Sequence, residues 1–266
     1  MVSRCEFARR LALEMGAFTL KYYDRPDLLI ESKSDGTPVT LADRGAEELA
    51  RKLIKEAFPE DGILGEEMDD VETHNGWQWI LDPIDGTKSF IHGVPFYSNL
   101  IGVLKDDQPL IGVIWLPALG RGVWAGKGLG AWEFNGTEAK ARQSRVSTTS
   151  RIEDALFLVT DVRDFEHVGR RGAYEELERR AKLTRTWGDA YGYYMVATGR
   201  ADFMADPYFE IWDAAPLLTV LTESGGAFGT WQGEETIVGR EGVASNANLK
   251  DEVISVLRRY PKQPLK

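Results

Sequence analysis

The sequence is poor in the residues that build disulfides and zinc sites. It contains a single cysteine, Cys5, among 266 residues, so an intramolecular disulfide and a cluster of thiolate ligands are both excluded. Only three histidines are present, His74, His92 and His167, and they form no H-E-x-x-H or related pattern. The sequence therefore gives no support to a histidine- or thiolate-based metal centre.

Long apolar runs and positive charge are also scarce. No stretch is long and apolar enough to span a bilayer, and the opening segment MVSRCEFARRLALEMGAF lacks the apolar core of a signal peptide. Acidic residues number 42 against 32 basic ones, which gives a formal net charge of −10. This balance disfavours nucleic acid and anionic membranes as partners, and we expect a cytoplasmic protein.

Apolar residues recur with the periods of both helices and strands. Helical spacing from Phe7 to Leu20 predicts an opening helix, and a second helix is predicted to begin near Asp43 and to end at Phe58. Short apolar runs predict strands at ILGEE, WIL, FYSNLIGVLKD, PLIGVIWLP and ALFLVTD. The run GKGLG lacks the ending of a phosphate-binding loop and predicts a hairpin turn.

The later part of the chain also alternates between the two patterns. The segment WGDAYGYYMVATGRADFMAD predicts a helix followed by a strand, and IWDAAPLLTVLTESGG predicts a helix from Asp213 to Gly225–Gly226. This order predicts an α/β protein. We divide it into an N-terminal half, residues 1–145, and a C-terminal half, residues 146–266.

Two acidic residues follow directly on a buried strand in WILDPIDGTKSF, residues 79–90. Asp82 and Asp85 bracket Pro83, and two carboxylates buried so close together cost about several kcal/mol unless a positive charge compensates them. Asp85 followed by Gly86 is also typical of an ordinary turn. A turn does not explain the acid pair at a strand end, where ligand sites of α/β folds cluster. Oxygen ligands without histidine indicate Mg²⁺ or a similar cation.

Further acids occupy positions where folding does not require them. Glu66 and Glu67 follow the strand ILG, and Asp213 opens a predicted helix. An exposed acidic bend explains the glutamates equally well, and an N-cap explains Asp213. These alternatives stay open when each acid is considered alone.

Three motifs together resemble a known family. They are GEE at 65–67, WILDPIDGTKSF at 79–90 and IWDAAPLLTVLTESGG at 211–226, and they are similar to the motifs of the inositol monophosphatase family of Mg²⁺-dependent phosphatases, in the same order. The resemblance runs from about Lys33 to Ser245. It implies a layered αβαβα sandwich, a homodimer, inhibition by lithium, and hydrolysis of a small phosphorylated metabolite by a metal-activated water.

The resemblance implies two or three Mg²⁺ ions in each site. Glu66, Asp82 and the carbonyl of Ile84 would hold one ion. Asp82, Asp85 and Asp213 would hold a second ion, with Asp82 as the bridge. A protein that kept this fold but lost catalysis is disfavoured, because every matched metal ligand is present.

The same resemblance assigns the groups that contact phosphate and water. Gly86 and Thr87 would offer backbone N–H groups, Thr87 its hydroxyl, and Lys33 would lie near the site. Asp43 would pair with Thr87 and help to polarise the attacking water. The sequence does not decide whether Glu66 or the Thr87–Asp43 pair is the general base.

The substrate is addressed by residues 185–213, RTWGDAYGYYMVATGRADFMADPYFEIWD. The order of Trp187, Gly188, Asp189 and Tyr191 resembles the histidinol-phosphate phosphatase branch of the family. Asp189 and Asp206 would accept hydrogen bonds from the substrate's cationic groups, and Trp187 or Tyr191 would cover its imidazole. Inositol phosphates, fructose bisphosphate and a nucleoside bisphosphate are the alternative substrates. Asp189 is alternatively the cap of the following helix.

Overall fold

The computed structural model describes residues 1–32 and 38–261. Its helices are α1 (Val2–Thr19), α2 (Leu41–Ala57), α3 (Thr87–Ile91), α4 (Val162–His167), α5 (Arg171–Arg180), α6 (Asp189–Ala197), α7 (Ile211–Glu223) and α8 (Lys250–Leu257). Its strands are β1 (Ile30–Ser32), β2 (Pro38–Thr40), β3 (Gly62–Gly65), β4 (Trp77–Asp85), β5 (Ser98–Lys105), β6 (Gln108–Leu116), β7 (Arg121–Gly126), β8 (Gly130–Asn135), β9 (Thr137–Gln143), β10 (Leu156–Leu158), β11 (Leu183–Arg185), β12 (Phe203–Asp206), β13 (Gly226–Gly229) and β14 (Gly242–Asn246). None of the described helices is long and apolar enough to cross a membrane.

Two large sheets organise the chain. The seven-stranded sheet has the order β3-β4-β5-β6-β7-β8-β9 and is antiparallel except for the β3–β4 pair. The five-stranded sheet has the order β11-β10-β12-β14-β13, with β10 parallel to β11 and to β12. Strands β1 and β2 form a separate antiparallel pair. The proposed division of the chain near residue 145 falls between the two large sheets.

The two faces of β4 show how the layers form. Trp79 and Leu81 are buried with the apolar faces of α1 and α2, whereas Ile80 is buried on the opposite face with α6 and α7. Alternation of this kind is expected for a strand that is covered on both sides. The five-stranded sheet packs against the other side of the α6–α7 layer. Helices α5 and α8 cover the outer face of this sheet. The predicted αβαβα sandwich is confirmed.

Helix α7 approaches the large sheet at a pair of glycines. Gly102 and Gly112 are opposite each other on β5 and β6. A Cβ on Gly102 would lie 2.8 Å from the Cβ of Ala215, and a Cβ on Gly112 would lie 2.1 Å from the carbonyl oxygen of Pro216. Only residues without a side chain allow this contact. It brings the first turn of α7, which carries Asp213, to the end of β4.

Two predicted element boundaries are wrong. Strand β4 does not end at Leu81 but continues to Asp85, with a register shift against β5 between Asp82 and Asp85. Pro83 cannot donate a ladder hydrogen bond, so it is accommodated by this irregularity. Helix α7 begins two residues before Asp213, which therefore lies in the first turn. From there its Oδ2 accepts the backbone N–H of Glu210 at a distance of 2.9 Å.

Candidate active site

A cavity of about 670 Å³ opens where the end of β4 meets the first turns of α6 and α7. It brings together residues that lie far apart in the sequence. Nine of the predicted site residues line it: Glu66, Asp82, Ile84, Asp85, Gly86, Thr87, Asp189, Asp206 and Asp213.

Three aspartates form the acidic centre of the cavity. One carboxylate oxygen from each of Asp82, Asp85 and Asp213 lies within 4.8 Å of the others. Asp82 is buried, and its Oδ1 has no hydrogen-bond partner among the described residues. Leaving a buried carboxylate oxygen unsatisfied costs free energy, which a bound cation would offset. The donor set contains only oxygen, so these residues fit Mg²⁺.

The pKa values in this centre follow from burial and repulsion. Burial raises the pKa of Asp82 well above its usual range, and the charges of Glu66, Asp85 and Asp213 raise it further. Burial also raises the pKa of Asp213 to about 7 and outweighs the Glu210 N–H, which lowers it. Protons and metal ions therefore compete for the same oxygens.

Asp85 has a structural partner on each side. Its Oδ2 accepts the hydroxyl of Ser98 and the backbone N–H of Ala190, both at 2.8 Å. These bonds fix one carboxylate oxygen to β5 and to the first turn of α6. Burial together with the charges of Asp189 and Asp213 still raises the pKa of Asp85.

The irregular segment of β4 rests on a buried amide that the sequence analysis missed. Asn99 donates from Nδ2 to the carbonyl of Pro83 at 2.6 Å. Ser98 and Asn99 are both fully buried at the start of the apolar strand β5. Two polar residues that open a buried strand were the signal available in FYSNLIGVLKD, because buried polar groups need partners.

Gly86 and Thr87 turn the chain from β4 into α3. Gly86 has a φ of +79°, and a Cβ at this position would lie 2.8 Å from Oδ2 of Asp189. Glycine is therefore required by the backbone and by the neighbouring carboxylate. Thr87 donates its hydroxyl to the carbonyl of Ile84 at 3.1 Å, so it touches a predicted metal ligand directly.

Asp43 lies beside the cavity and not in its wall. Its Oδ2 accepts the N–H and the hydroxyl of Thr40 at 2.7 and 2.6 Å, which caps α2. Between these described side chains, the partner of Asp43 is Thr40 and not the predicted Thr87. Burial raises the pKa of Asp43, and the nearby charge of Glu66 contributes to the rise.

The turn that presents Glu66 is held from behind by Glu47. Glu47 is buried in α2, accepts the N–H of Glu67 at 2.8 Å and forms an ion pair with Arg51. The N–H of Glu66 bonds to the carbonyl of Leu81 at 3.2 Å, which ties the turn to β4. The sequence analysis identified the two glutamates but not this anchor.

The predicted aromatic contacts with substrate are not supported. Trp187 and Tyr191 do not line the cavity; both pack against the apolar core, and Tyr191 stacks on Phe96 with ring centroids 4.3 Å apart. Trp187 precedes α6 and Tyr191 lies in its first turn. The aromatic residues in the wall are Phe96, Tyr193, Tyr208, Phe209 and Trp212. Lys33 lies outside the described residues.

Almost the whole chain matches a known protein family. The profile of the inositol monophosphatase family covers residues 2–262. This chain belongs to the inositol monophosphatase family. The match includes all the motifs that line the cavity. Family membership supports the predicted class of phosphoric monoester hydrolase, and members of the inositol monophosphatase family are generally Mg²⁺-dependent.

Individual members of the inositol monophosphatase family are similar over most of their length. A histidinol-phosphatase of Chlorobaculum parvum is 39% identical over 93% of each chain. A histidinol-phosphatase of Streptomyces coelicolor is 37% identical over 95% of this chain and 96% of the relative. Among solved structures, an inositol monophosphatase from Zymomonas mobilis has a TM-score of 0.83 and 27% identity, covering 96% of this chain and 98% of that chain.

Proposed function

We propose that this chain is a Mg²⁺-dependent histidinol-phosphate phosphatase, which converts L-histidinol phosphate and water to L-histidinol and phosphate. The names of the most similar relatives support this choice of substrate. The observation that carries it is the charge of the cavity wall beyond the metal-binding aspartates.

That wall is acidic. Asp161, Asp164 and Asp189 line it, and Lys88 is the only basic residue in the lining that the described chain provides. Burial raises the pKa of Asp164, as does the charge of Asp161. Histidinol carries an ammonium group and an imidazole, and a cation in this space would relieve the repulsion among the acids. A neutral polyol would leave it uncompensated.

Two ions or more would be held by Asp82, Asp85, Asp213 and Glu66, with the carbonyl of Ile84 as a further oxygen. When bound, Mg²⁺ neutralises charge on the phosphate and lowers the pKa of the attacking water. Glu66 lines the cavity close to Asp82 and is suited to accept the proton from that water.

The phosphate and the leaving group would contact residues other than the proposed metal ligands. The N–H groups of Gly86 and Thr87 follow the metal-binding strand and are suited to hold phosphate oxygens. Asp189 lies next to Gly86, so a carboxylate borders the position of the phosphate. In this arrangement the ammonium group of the histidinol portion pairs with Asp189 in the bound substrate and stays paired as the P–O bond breaks.

A screen of four esters tests the proposal. Histidinol phosphate, inositol-1-phosphate, fructose-1,6-bisphosphate and 3′-phosphoadenosine 5′-phosphate are compared with Mg²⁺ and with excess chelator. We expect the highest kcat/KM on histidinol phosphate and no activity in chelator. Full activity in chelator would refute the metal mechanism, and a preference for another ester would refute the substrate.

The variant Asp189→Asn sharpens the test, because it keeps the size of the side chain and removes its charge. A hydrogen-bonded charged pair contributes about 1.5–3 kcal/mol, so kcat/KM on histidinol phosphate should fall about ten- to a hundredfold. Hydrolysis of inositol-1-phosphate should barely change. Equal losses of kcat/KM on both esters would indicate that Asp189 has only a structural role.

Inositol-1-phosphate is the second candidate substrate, because the structure superposes on an inositol monophosphatase over nearly its whole length. The ester screen separates the two. The number of bound ions and the homodimer stay predictions, which titration calorimetry with Mg²⁺ and light scattering would test.

A further inference from the structure

Asp189 has an unusual backbone for the first residue of a helix. Its φ is +51°, in the left-handed region that costs a residue with a side chain about 1–2 kcal/mol. Its carboxylate makes no capping hydrogen bond to α6. It instead reaches across the cavity, with Oδ2 2.8 Å from the position of a Cβ on Gly86 and 3.5 Å from the hydroxyl of Ser89. Something must hold this conformation in place.

Thr160 holds it. Its Oγ1 accepts the N–H of Asp189 at 2.9 Å, immediately after the end of β10. The two segments are in close contact, since a Cβ on Gly188 would lie 2.4 Å from the Cα of Thr160. With the Asp85 bond to Ala190, both N–H groups at the start of α6 are bonded from outside the helix.

Asp206 fixes the direction of the Thr160 hydroxyl. Asp206 is buried and accepts the N–H of Thr160 at 2.8 Å with Oδ1 and the hydroxyl of Thr160 at 3.0 Å with Oδ2. Tyr193 donates its own hydroxyl to the same Oδ2 at 2.8 Å. The single hydroxyl proton of Thr160 is thus used by Asp206, so Oγ1 faces Asp189 as an acceptor. Both oxygens of Asp206 are engaged within the protein.

From these contacts we infer that Thr160, oriented by Asp206, is a positioning residue that aims the Asp189 carboxylate at the leaving group and thereby sets substrate selection. The inference rests on the proposed function and assigns Asp206 a different part from the predicted substrate contact. Of the two predicted substrate contacts, Asp189 meets the substrate and Asp206 acts through Thr160.

Thr160→Val and Thr160→Ser test this. Valine keeps the shape and the backbone N–H but removes the hydroxyl, whereas serine keeps the hydroxyl. We expect Thr160→Val to lower kcat/KM on histidinol phosphate about tenfold, the value of one net hydrogen bond, mainly through KM. The kcat/KM on inositol-1-phosphate should change less than about twofold, which is within the effect of a neutral substitution. Thr160→Ser should restore the wild-type selectivity.

A double-mutant cycle with Asp189→Asn separates this role from general stabilisation. If Thr160 acts through Asp189, adding Thr160→Val to Asp189→Asn should leave the selectivity unchanged. Additive losses, equal losses on both esters, or failure of serine to restore selectivity would overturn the inference. If the wild type prefers histidinol phosphate and Thr160→Val retains that preference, the inference alone is wrong. A wild type inactive on histidinol phosphate overturns the inference and the proposed function together.

Discussion

Asp85 and Ala190 are joined by a hydrogen bond of 2.8 Å across 105 positions of sequence, from the backbone N–H of Ala190 to Oδ2 of Asp85. The Asp85 carboxylate therefore belongs to the strand of the proposed metal site, β4, and also caps α6, the helix that carries Asp189. This bond connects the proposed metal ligands to the helix whose first residue, Asp189, is the proposed substrate-binding carboxylate.

Substitutions of Asp85 should separate its two roles. Asp85→Asn and Asp85→Ala should both lower kcat by at least about a hundredfold, since each removes the charge of a proposed metal ligand. Only Asp85→Ala removes the acceptor for Ala190, so it should lose about 1 kcal/mol more stability than Asp85→Asn. Activity assays and urea denaturation measure the two effects. Asp154→Asn, at an exposed acid, is the matched control and should be neutral. Equal stability of the two Asp85 variants would contradict the capping role.

The metal-free protein should lose stability as pH rises. The pKa of Asp213 is about 7 in the folded chain and about 3.9 when unfolded, so between these values unfolding releases a proton. Rising pH then favours the unfolded state by up to about 1.4 kcal/mol per unit for this group. Denaturation in chelator at pH 5, 6 and 7 measures the slope, and Mg²⁺ should stabilise the protein most at the highest pH. Asp213→Asn should reduce the slope, and the slope that remains belongs to Asp82 and Asp85, whose pKa values are also raised. Stability that rises with pH in chelator would contradict the assignment.

Gly86→Ala should damage the active site beyond its cost in stability. The left-handed φ of +79° and the contact with Asp189 both oppose a Cβ at this position. Gly128 is the matched control, because its φ is +77° and a Cβ there meets nothing within 4 Å. Both variants should lose about 1 kcal/mol from the backbone, and only Gly86→Ala should lose activity. Steady-state kinetics with thermal melting decides the point, and full activity of Gly86→Ala would be the contrary result.

Gly112→Ala should displace α7 from the large sheet. Its Cβ would lie 2.1 Å from the backbone oxygen of Pro216, which cannot move without the helix. Overpacking of this kind costs about 1–3 kcal/mol, and activity should fall because α7 carries Asp213. The control is Gly136→Ala, whose Cβ would meet only Trp115 at 3.5 Å. If both variants denature at the wild-type midpoint, the close approach is not required.

The sequence by itself determined the chemistry of the site. Asp82 and Asp85 follow the apolar run WIL directly, so at least one carboxylate is expected at a buried strand end, where it requires compensation; in the structure Asp82 is buried and Asp85 is partly exposed. The α/β class likewise followed from local periodicity, and the layered αβαβα sandwich followed from the resemblance of the three motifs to a known family. These features depend on short segments, where neighbouring residues carry the information.

Only the tertiary structure decided which groups line the cavity. Trp187 and Asp189 are two positions apart, yet one packs in the core and the other lines the cavity, because Asp189 adopts a left-handed backbone held by Thr160. Ser98, Thr160 and Asp206 reach the site through contacts across 13 to 46 positions. The periodicity of the sequence does not predict such contacts, because they depend on which strand ends the two sheets bring together.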